Sequence, residues 1–403
     1  MTALHDEGAI DDEAVRILDE KDYDQSMRTL VLPTLDRVKT EGWMEPAQHK
    51  GLADLPAPPQ SHEGRLFYTS YLHDKEDQGQ APDQVEPAEP TAEGKESQAA
   101  ACHRKQLVIL HGFTDTIPRY HELIYYFYQA GFDVWMMEHR GHGLSPHDSP
   151  DTNVVYIDDW RRYVLDQAKF VTEIVRPHGD GDLVLYAHSM GGGIGLSLLE
   201  QYPDLFDRAV FSSPMVEPQM GGISVKQATA MANLFCFFGQ GKKRVFAQGE
   251  FSQTMDPHEP DGYSYPRVVW KFQTRLQNVG YQLSAAAYQW VRESVRMSRS
   301  LLEQNNIARI KTPFILFQAE KDTYVSLPKQ DEFLAKLDQA NASNPAGGPG
   351  RKIFMTGAQH DYSQATNDIL EPVVRQSIAF LSGTDKRERM EKPEEADKRE
   401  GNR

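Results

Sequence analysis

Ser189 stands in Ala187-His188-Ser189-Met190-Gly191, directly after the apolar run Leu183 to Ala187 and at the head of a glycine-rich stretch. A serine hydroxyl attacks a carbonyl only when a base takes its proton and a sharp strand-to-helix turn exposes it. Strand and helix backbones approach closely at such a turn, so small residues are needed two positions either side. Gly191 meets that need, and Ala187 stands where glycine is usual. The base expected is His360, in Gly357-Ala358-Gln359-His360, just past the run Lys352 to Thr356. The acid that would hold its imidazole is Asp322, four residues past Gln318. Glu320 is close enough to serve instead, and Glu217 is a fallback. Asp331 and Asp338 fall on the next helix, where a solvated face accounts for them. The order Ser189, Asp322, His360 is the order this chemistry takes when the serine sits on such a turn. The reaction would be acyl transfer, with the backbone N–H groups of Phe113 and Met190 facing the oxyanion.

Such residues act only if regular elements hold them. Leu107 to His111 is apolar without polar alternation, as a central parallel strand covered on both faces must be. Phe132 to Glu138, Leu183 to Ala187, Arg208 to Ser212, Phe314 to Gln318 and Lys352 to Thr356 read likewise as strands. Between them Pro118 to Ala130, Ile157 to Val175, Ser189 to Gln201 and Tyr362 to Leu381 read as helices. The alternation implies a mostly parallel central sheet with helices on both faces. It stops between Met215 and Ile310, in a helical, aromatic stretch inserted after the sixth strand, which reads as a cap over the sheet's C-terminal edge.

The expected organisation is a helical N-terminal extension over 1–60, a core over 61–216 and 311–383, and a helical cap over 217–310. Residues 74–100 read as a disordered insertion in a hairpin loop, where length costs little. Residues 384–403 read as a charged disordered tail.

The 403 residues carry 43 Lys and Arg against 59 Asp and Glu, a formal charge of −16. That balance argues against nucleic-acid binding, which needs clustered cations. Only Cys102 and Cys236 occur, without metal-ligand spacing, so neither a disulfide framework nor a metal is implied. Cys236 reads as apolar filler. His139 and His142 read as part of a structural turn, and His188 as a packing residue. Gly191-Gly192-Gly193 lacks the Lys-Ser/Thr of a phosphate loop. No secretory signal or membrane-length apolar run is legible, so the expected location is cytoplasmic. No cofactor is needed for the chemistry above.

Taken together, His111-Gly112-Phe113, the loop Glu138-His139-Arg140-Gly141-His142-Gly143-Leu144-Ser145, and Ala187-His188-Ser189-Met190-Gly191-Gly192 resemble the monoacylglycerol lipase and bacterial lysophospholipase branch of α/β-hydrolases. Gly131-Phe132-Asp133-Val134, Ser213-Pro214-Met215, Tyr288 to Ser294 and Gln318-Ala319-Glu320 are similar to it too, and the likeness spans roughly residues 105 to 383. It is closer to the bacterial lysophospholipases, which also tend to carry alanine at the position of Ala187. The resemblance implies an α/β-hydrolase fold and hydrolysis of single-chain lipid esters, with Ser189, Asp322 and His360 as triad. On that reading cap aromatics such as Phe235 and Phe238 would touch the acyl chain. There is room for transient peripheral membrane contact through the cap, at Lys242-Lys243-Arg244. Two alternatives stay open. An aminopeptidase would want a cap carboxylate for a free amine, from Glu250, Asp256, Glu259 or Asp261. A non-catalytic lipid-binding relative would usually lack a triad member.

Overall fold

The computed structural model describes residues 15–48, 64–73, 104–246, 248–255, 262–344 and 346–384. Among these, eight strands form one sheet: β1 (Lys39–Met44), β2 (Leu66–Tyr71), β3 (Gln106–Leu110), β4 (Asp133–Met137), β5 (Leu183–His188), β6 (Arg208–Ser212), β7 (Phe314–Ala319) and β8 (Gly350–Met355). Their spatial order is β1-β2-β4-β3-β5-β6-β7-β8. β2 runs antiparallel to both neighbours, and the pairs from β4 to β8 are parallel.

Side chains alternate across the sheet because strand period is two. Val108, Leu110, Leu185, Ala187 and Phe211 face one core, beneath α2 (Arg161–Lys169), α3 (Met190–Gln201) and α7 (Leu327–Asn341). Leu107, Ile109, Val184, Tyr186 and Val210 face the other, beneath α1 (His121–Gln129) and α8 (Asn367–Ser382). Both faces are covered, which is why β3 to β5 read as unbroken apolar runs.

The chain passes from β3 to β4 in one direction and then crosses back over β3 to reach β5. At this switch point the loops after β3 and β5 diverge and leave a crevice at the strands' C-terminal ends. Phe113 and Ser189 lie on these two loops.

The segment between β6 and β7 carries α4 (Val225–Phe237), α5 (Tyr265–Leu276) and α6 (Tyr288–Leu301). A reciprocal Ser224–Gln227 capping box starts α4. The two-residue parallel pair Val154–Val155 with Ala285–Ala286 joins this segment to the core. α5 is tied down by Arg267, whose guanidinium meets Glu122 of α1 (2.8 Å) and donates to Ala365 O (2.9 Å) and Asn367 Oδ1 (2.8 Å). Glu122 also accepts from the hydroxyls of Tyr23 and Tyr126.

Among the described residues, the N-terminal helical segment runs from Glu20 to Val38. It buries Tyr23, Met27, Val31, Leu35 and Val38 against α1 and α5, an i, i+4 stripe. It then runs into β1, a strand the sequence pattern did not indicate. Lys39–Met44 has no clean alternation, and its pairing with β2 holds it extended. Gly42 is required there because a Cβ would lie 2.2 Å from the Tyr68 ring. The expected insertion over 74–100 and the tail beyond Thr384 lie outside the described residues.

Candidate active site

β5 ends at His188, and α3 begins at Met190, leaving Ser189 alone to make the turn at φ 53°. A non-glycine residue in this left-handed region is strained and needs its surroundings to hold it. Ser189 N–H donates to Ser212 O (3.0 Å), while its carbonyl accepts from Gly193 N (3.1 Å) and Met215 N (2.8 Å). Gly191 is obligatory: a Cβ there would lie 2.5 Å from the carbonyl oxygens of both Leu110 and His111. Ala187 lies in the strand, fully buried, and its methyl group is accommodated opposite Gly195.

His360 follows β8 and Asp322 follows β7. His360 Nε2 lies 2.8 Å from Ser189 Oγ, and His360 Nδ1 lies 2.7 Å from Asp322 Oδ2. The other Asp322 oxygen accepts from the backbone N–H groups of Tyr324 (2.8 Å) and Val325 (3.0 Å). The carboxylate is thus aimed from both ends. Among the described residues neither competitor bonds His360: Glu320 accepts from Gly357 N–H (2.6 Å), and Glu217 bonds through its backbone carbonyl, to Ser326 N–H. All three members of the row are buried, which strengthens each polar contact among them.

The loop after β3 approaches the serine from the other side. A Cβ on Gly112 would lie 3.2 Å from Ser189 Cβ. Thr114, at φ 61°, turns this loop, and Phe113 N–H has no acceptor among the described residues. Met190 N–H, the first of α3, has no partner within its helix. Asp115 accepts from Gly112 N–H (3.2 Å) and from the Tyr120 hydroxyl (3.0 Å), holding the loop in place.

Beneath it three histidines interlock. His139 N–H donates to His111 Nε2 (2.9 Å), Gln167 meets His139 Nδ1 (3.1 Å), and His142 Nδ1 meets Arg140 O (3.0 Å). Burial holds all three pKa values far below the ordinary imidazole range, so they are neutral packing groups. His188 belongs with them, its Nδ1 against Ser212 O and Oγ (3.1 Å each). Among the described residues there is no group of three or more His, Cys, Asp or Glu suited to a metal.

Glu138 anchors the same loop from below. Its carboxylate accepts from Ile117 N–H (3.1 Å) and Leu144 N–H (2.5 Å), and a Cβ on Gly143 would collide with it. Burial pushes its pKa up to about 7, against the opposing pull of those two N–H groups. As pH rises from the unfolded value of 4.5 through about 7, the unfolded chain loses this proton before the folded one. The contribution of this carboxyl to stability is therefore fully present below pH 4.5 and is lost as pH rises to about 7, by on the order of 3 kcal/mol. Thermal melts between pH 5 and 8 should show Glu138→Gln lacking that part of the decline. Parallel curves for the two proteins would refute it.

The rings expected to line an acyl site divide differently. Phe235 is stacked face to face on Tyr288 (centroids 3.9 Å apart), and Phe238 is exposed beside Phe237. The rings adjoining the serine–histidine row are others. Tyr324, 65% exposed, lies 5.0 Å from the His360 ring, and Phe113 packs on Trp290 of α6 at 4.2 Å. Asp361, Arg119 and Lys271 also gather here. Sequence reasoning used Phe113 for its backbone N–H alone and passed over Tyr324, Asp361, Arg119 and Lys271. Only the adjacency of Tyr324 to Asp322 and of Asp361 to His360 could have flagged any of them.

The sheet order, the strained serine between β5 and α3, and the insertion after β6 define an α/β-hydrolase. Residues 101–344 match the model of the serine aminopeptidase S33 family, and the chain belongs to that family. It is 28% identical to lysophospholipase L2 of Escherichia coli K12 over 267 residues, covering 65% of this chain and 76% of that protein. It is 27% identical to a probable lysophospholipase L2 of Haemophilus influenzae over 246 residues, 60% and 76% of the two chains. Among solved structures, a soluble variant of Saccharomyces cerevisiae monoglyceride lipase with a substrate analogue superposes with a TM-score of 0.54. That match covers 83% of this chain and 98% of the other at 16% identity, a likeness of fold.

Proposed function

We propose that this protein is a carboxylic ester hydrolase acting on single-chain lipids, lysophospholipid or monoacylglycerol, through an acyl-enzyme on Ser189. The observation that carries the proposal is the unbroken hydrogen-bonded row from Ser189 Oγ through His360 to Asp322 at 2.8 and 2.7 Å. His360 Nε2 takes the serine proton as Oγ attacks the ester carbonyl, and Asp322 stabilises the imidazolium. Phe113 and Met190 N–H groups receive the oxyanion. His360 then protonates the leaving alcohol, and water, deprotonated by the same imidazole, releases the fatty acid.

In this reading residues 217–310 act as the cap over a core of 61–216 and 311–383. Phe235 and Phe238 belong to its acyl-facing wall, and the cap meets membranes transiently from the cytoplasm at Lys242-Lys243-Arg244. No helix among the described residues is long and apolar enough to cross a membrane. The lysophospholipase relatives support the substrate class. A series of p-nitrophenyl esters tests it: kcat/KM should rise at least tenfold from acetate to dodecanoate. A flat or falling series would sink the lipid assignment.

The family description raises peptide hydrolysis as the second reading. Of the carboxylates such an enzyme could use, Glu250 is exposed, and Asp256, Glu259 and Asp261 lie outside the described residues. Amino-acid p-nitroanilides offered beside the esters decide between the two.

A further inference from the structure

The charges beside the serine–histidine row are unevenly matched. Arg267, Lys271 and Arg275 follow one another on α5 at four-residue spacing, which sets them along one helix face. Arg267 is neutralised by Glu122. Lys271 Nζ lies 3.5 Å from Asp361 Oδ2, on the residue directly after His360. The same carboxylate pairs with Arg119 and accepts from Ser363 N–H (3.1 Å), Ser363 Oγ (2.7 Å) and the Gln364 amide. Arg119 also pairs with Asp115. Arg275 meets no carboxylate among the described residues. It is held by the carbonyls of Tyr281 (3.2 Å) and Leu283 and by the face of Phe251 (4.4 Å), which orient its charge without cancelling it. Among the described residues, Arg119 and Lys271 therefore share two carboxylates, Asp115 and Asp361, already loaded with neutral donors, and Arg275 stands near them without one.

This cluster stands next to the nucleophile. A Cβ on Gly112 would lie 2.8 Å from Asp115 Oδ2 and 3.2 Å from Ser189 Cβ, so Gly112 and the Asp115 carboxylate lie between Arg119 and the serine. The charges of Arg119 and Lys271, after burial and His360, help hold down the pKa of His188, the residue before Ser189. Arg119 is sealed in, but a quarter of the Lys271 side chain reaches solvent. Burial, with Arg119 and Arg275 nearby, holds the Lys271 pKa well below the ordinary lysine range. An arriving anion would favour the ammonium form of Lys271.

We propose that Lys271, backed by Arg119 and Arg275, binds the phosphate of a substrate's head group and so selects lysophospholipids over monoacylglycerols. This rests on Ser189 being the nucleophile. In a 1-acyl lysophospholipid the glycerol backbone alone separates the scissile ester from the phosphate, which matches an anion site adjoining the serine. The same cations would repel the free ammonium of an aminopeptidase substrate.

The test measures kcat/KM of the full-length protein on 1-palmitoyl-lysophosphatidylglycerol and on 1-palmitoylglycerol in micelles of one neutral detergent. The wild type should favour the phospholipid. Lys271→Met should lower the ratio of the two constants by about 10- to 100-fold, the worth of one charge-assisted hydrogen bond. Lys271→Arg should restore most of it. A ratio that Lys271→Met leaves unmoved, or two constants falling in parallel, would overturn the proposal. Parallel loss is what a purely structural role through Asp361 and the His360 loop would produce. Inorganic phosphate separates head group from free anion. Its competing with the phospholipid in the wild type but not in Lys271→Met supports the site. Inhibition with an unmoved ratio would make this a free-phosphate site and overturn the head-group assignment. A wild type inactive on both lipids and unlabelled by a fluorophosphonate would sink the ester-hydrolase reading itself, and this inference with it.

Discussion

Ser189→Ala and His360→Ala should each lower kcat for ester hydrolysis by about a million-fold, and the double variant should be no worse than either. The non-additivity follows from mechanism: Ser189 Oγ is useless without a proton acceptor, and His360 Nε2 has no proton to take without the hydroxyl 2.8 Å away. A residual rate above that in water should survive, because the Phe113 and Met190 N–H groups belong to the backbone and remain in both variants. Labelling by a fluorophosphonate reports the same chemistry without a choice of substrate. The wild type should label at Ser189, Ser189→Ala should not label, and His360→Ala should label far more slowly. A His360→Ala protein that labels at the wild-type rate would remove His360 as the base. Neither variant should unfold, since Ser189 is held by its backbone N–H and carbonyl rather than its hydroxyl.

Asp322→Asn should cost about 10,000-fold in kcat with little change in KM, whereas Glu320→Gln and Glu217→Gln should each stay within about threefold of wild type. Asp322 Oδ2 accepts from His360 Nδ1 and so keeps Nε2 free to take the serine proton. An asparagine amide turned toward Nδ1 would favour the opposite tautomer, placing a proton on Nε2. The backbone N–H groups of Tyr324 and Val325 hold the other oxygen and prevent the carboxylate from rotating away. Glu320 is spent on Gly357 N–H at the turn after β8, out of line with the imidazole. Steady-state kinetics on one chromogenic ester would settle the assignment. A large loss in Glu320→Gln with Asp322→Asn unaffected would transfer the role.

Much of this was legible in the chain itself. The runs Leu107 to His111, Leu183 to Ala187 and Arg208 to Ser212 announce buried parallel strands because each residue must be apolar when both faces are covered. Ser189 and His360 stand out because a serine between an apolar strand and a glycine-rich helix, and a histidine just past the last strand, are local arrangements, whereas the need for glycine at 191 comes from the distant carbonyls of Leu110 and His111. The insertion after β6 shows as a break in a repeating alternation.

The tertiary structure decided what depends on direction and on distant partners. Asp322 and Glu320 lie two residues apart, and only the path of the turn after β7 aims one at His360 and the other at Gly357. β1 exists through its pairing with β2, not through its own pattern. Packing likewise stacks Phe235 on Tyr288 and brings the unremarked Tyr324 against the His360 ring. The cluster of Arg119, Lys271, Arg275, Asp115 and Asp361 draws on three separate stretches of chain. Each charge taken alone reads as a solvated surface residue. Their meaning arises when folding strips water from them and groups them near the serine, because the energy of a buried charge depends on what surrounds it in space and not on its neighbours in sequence.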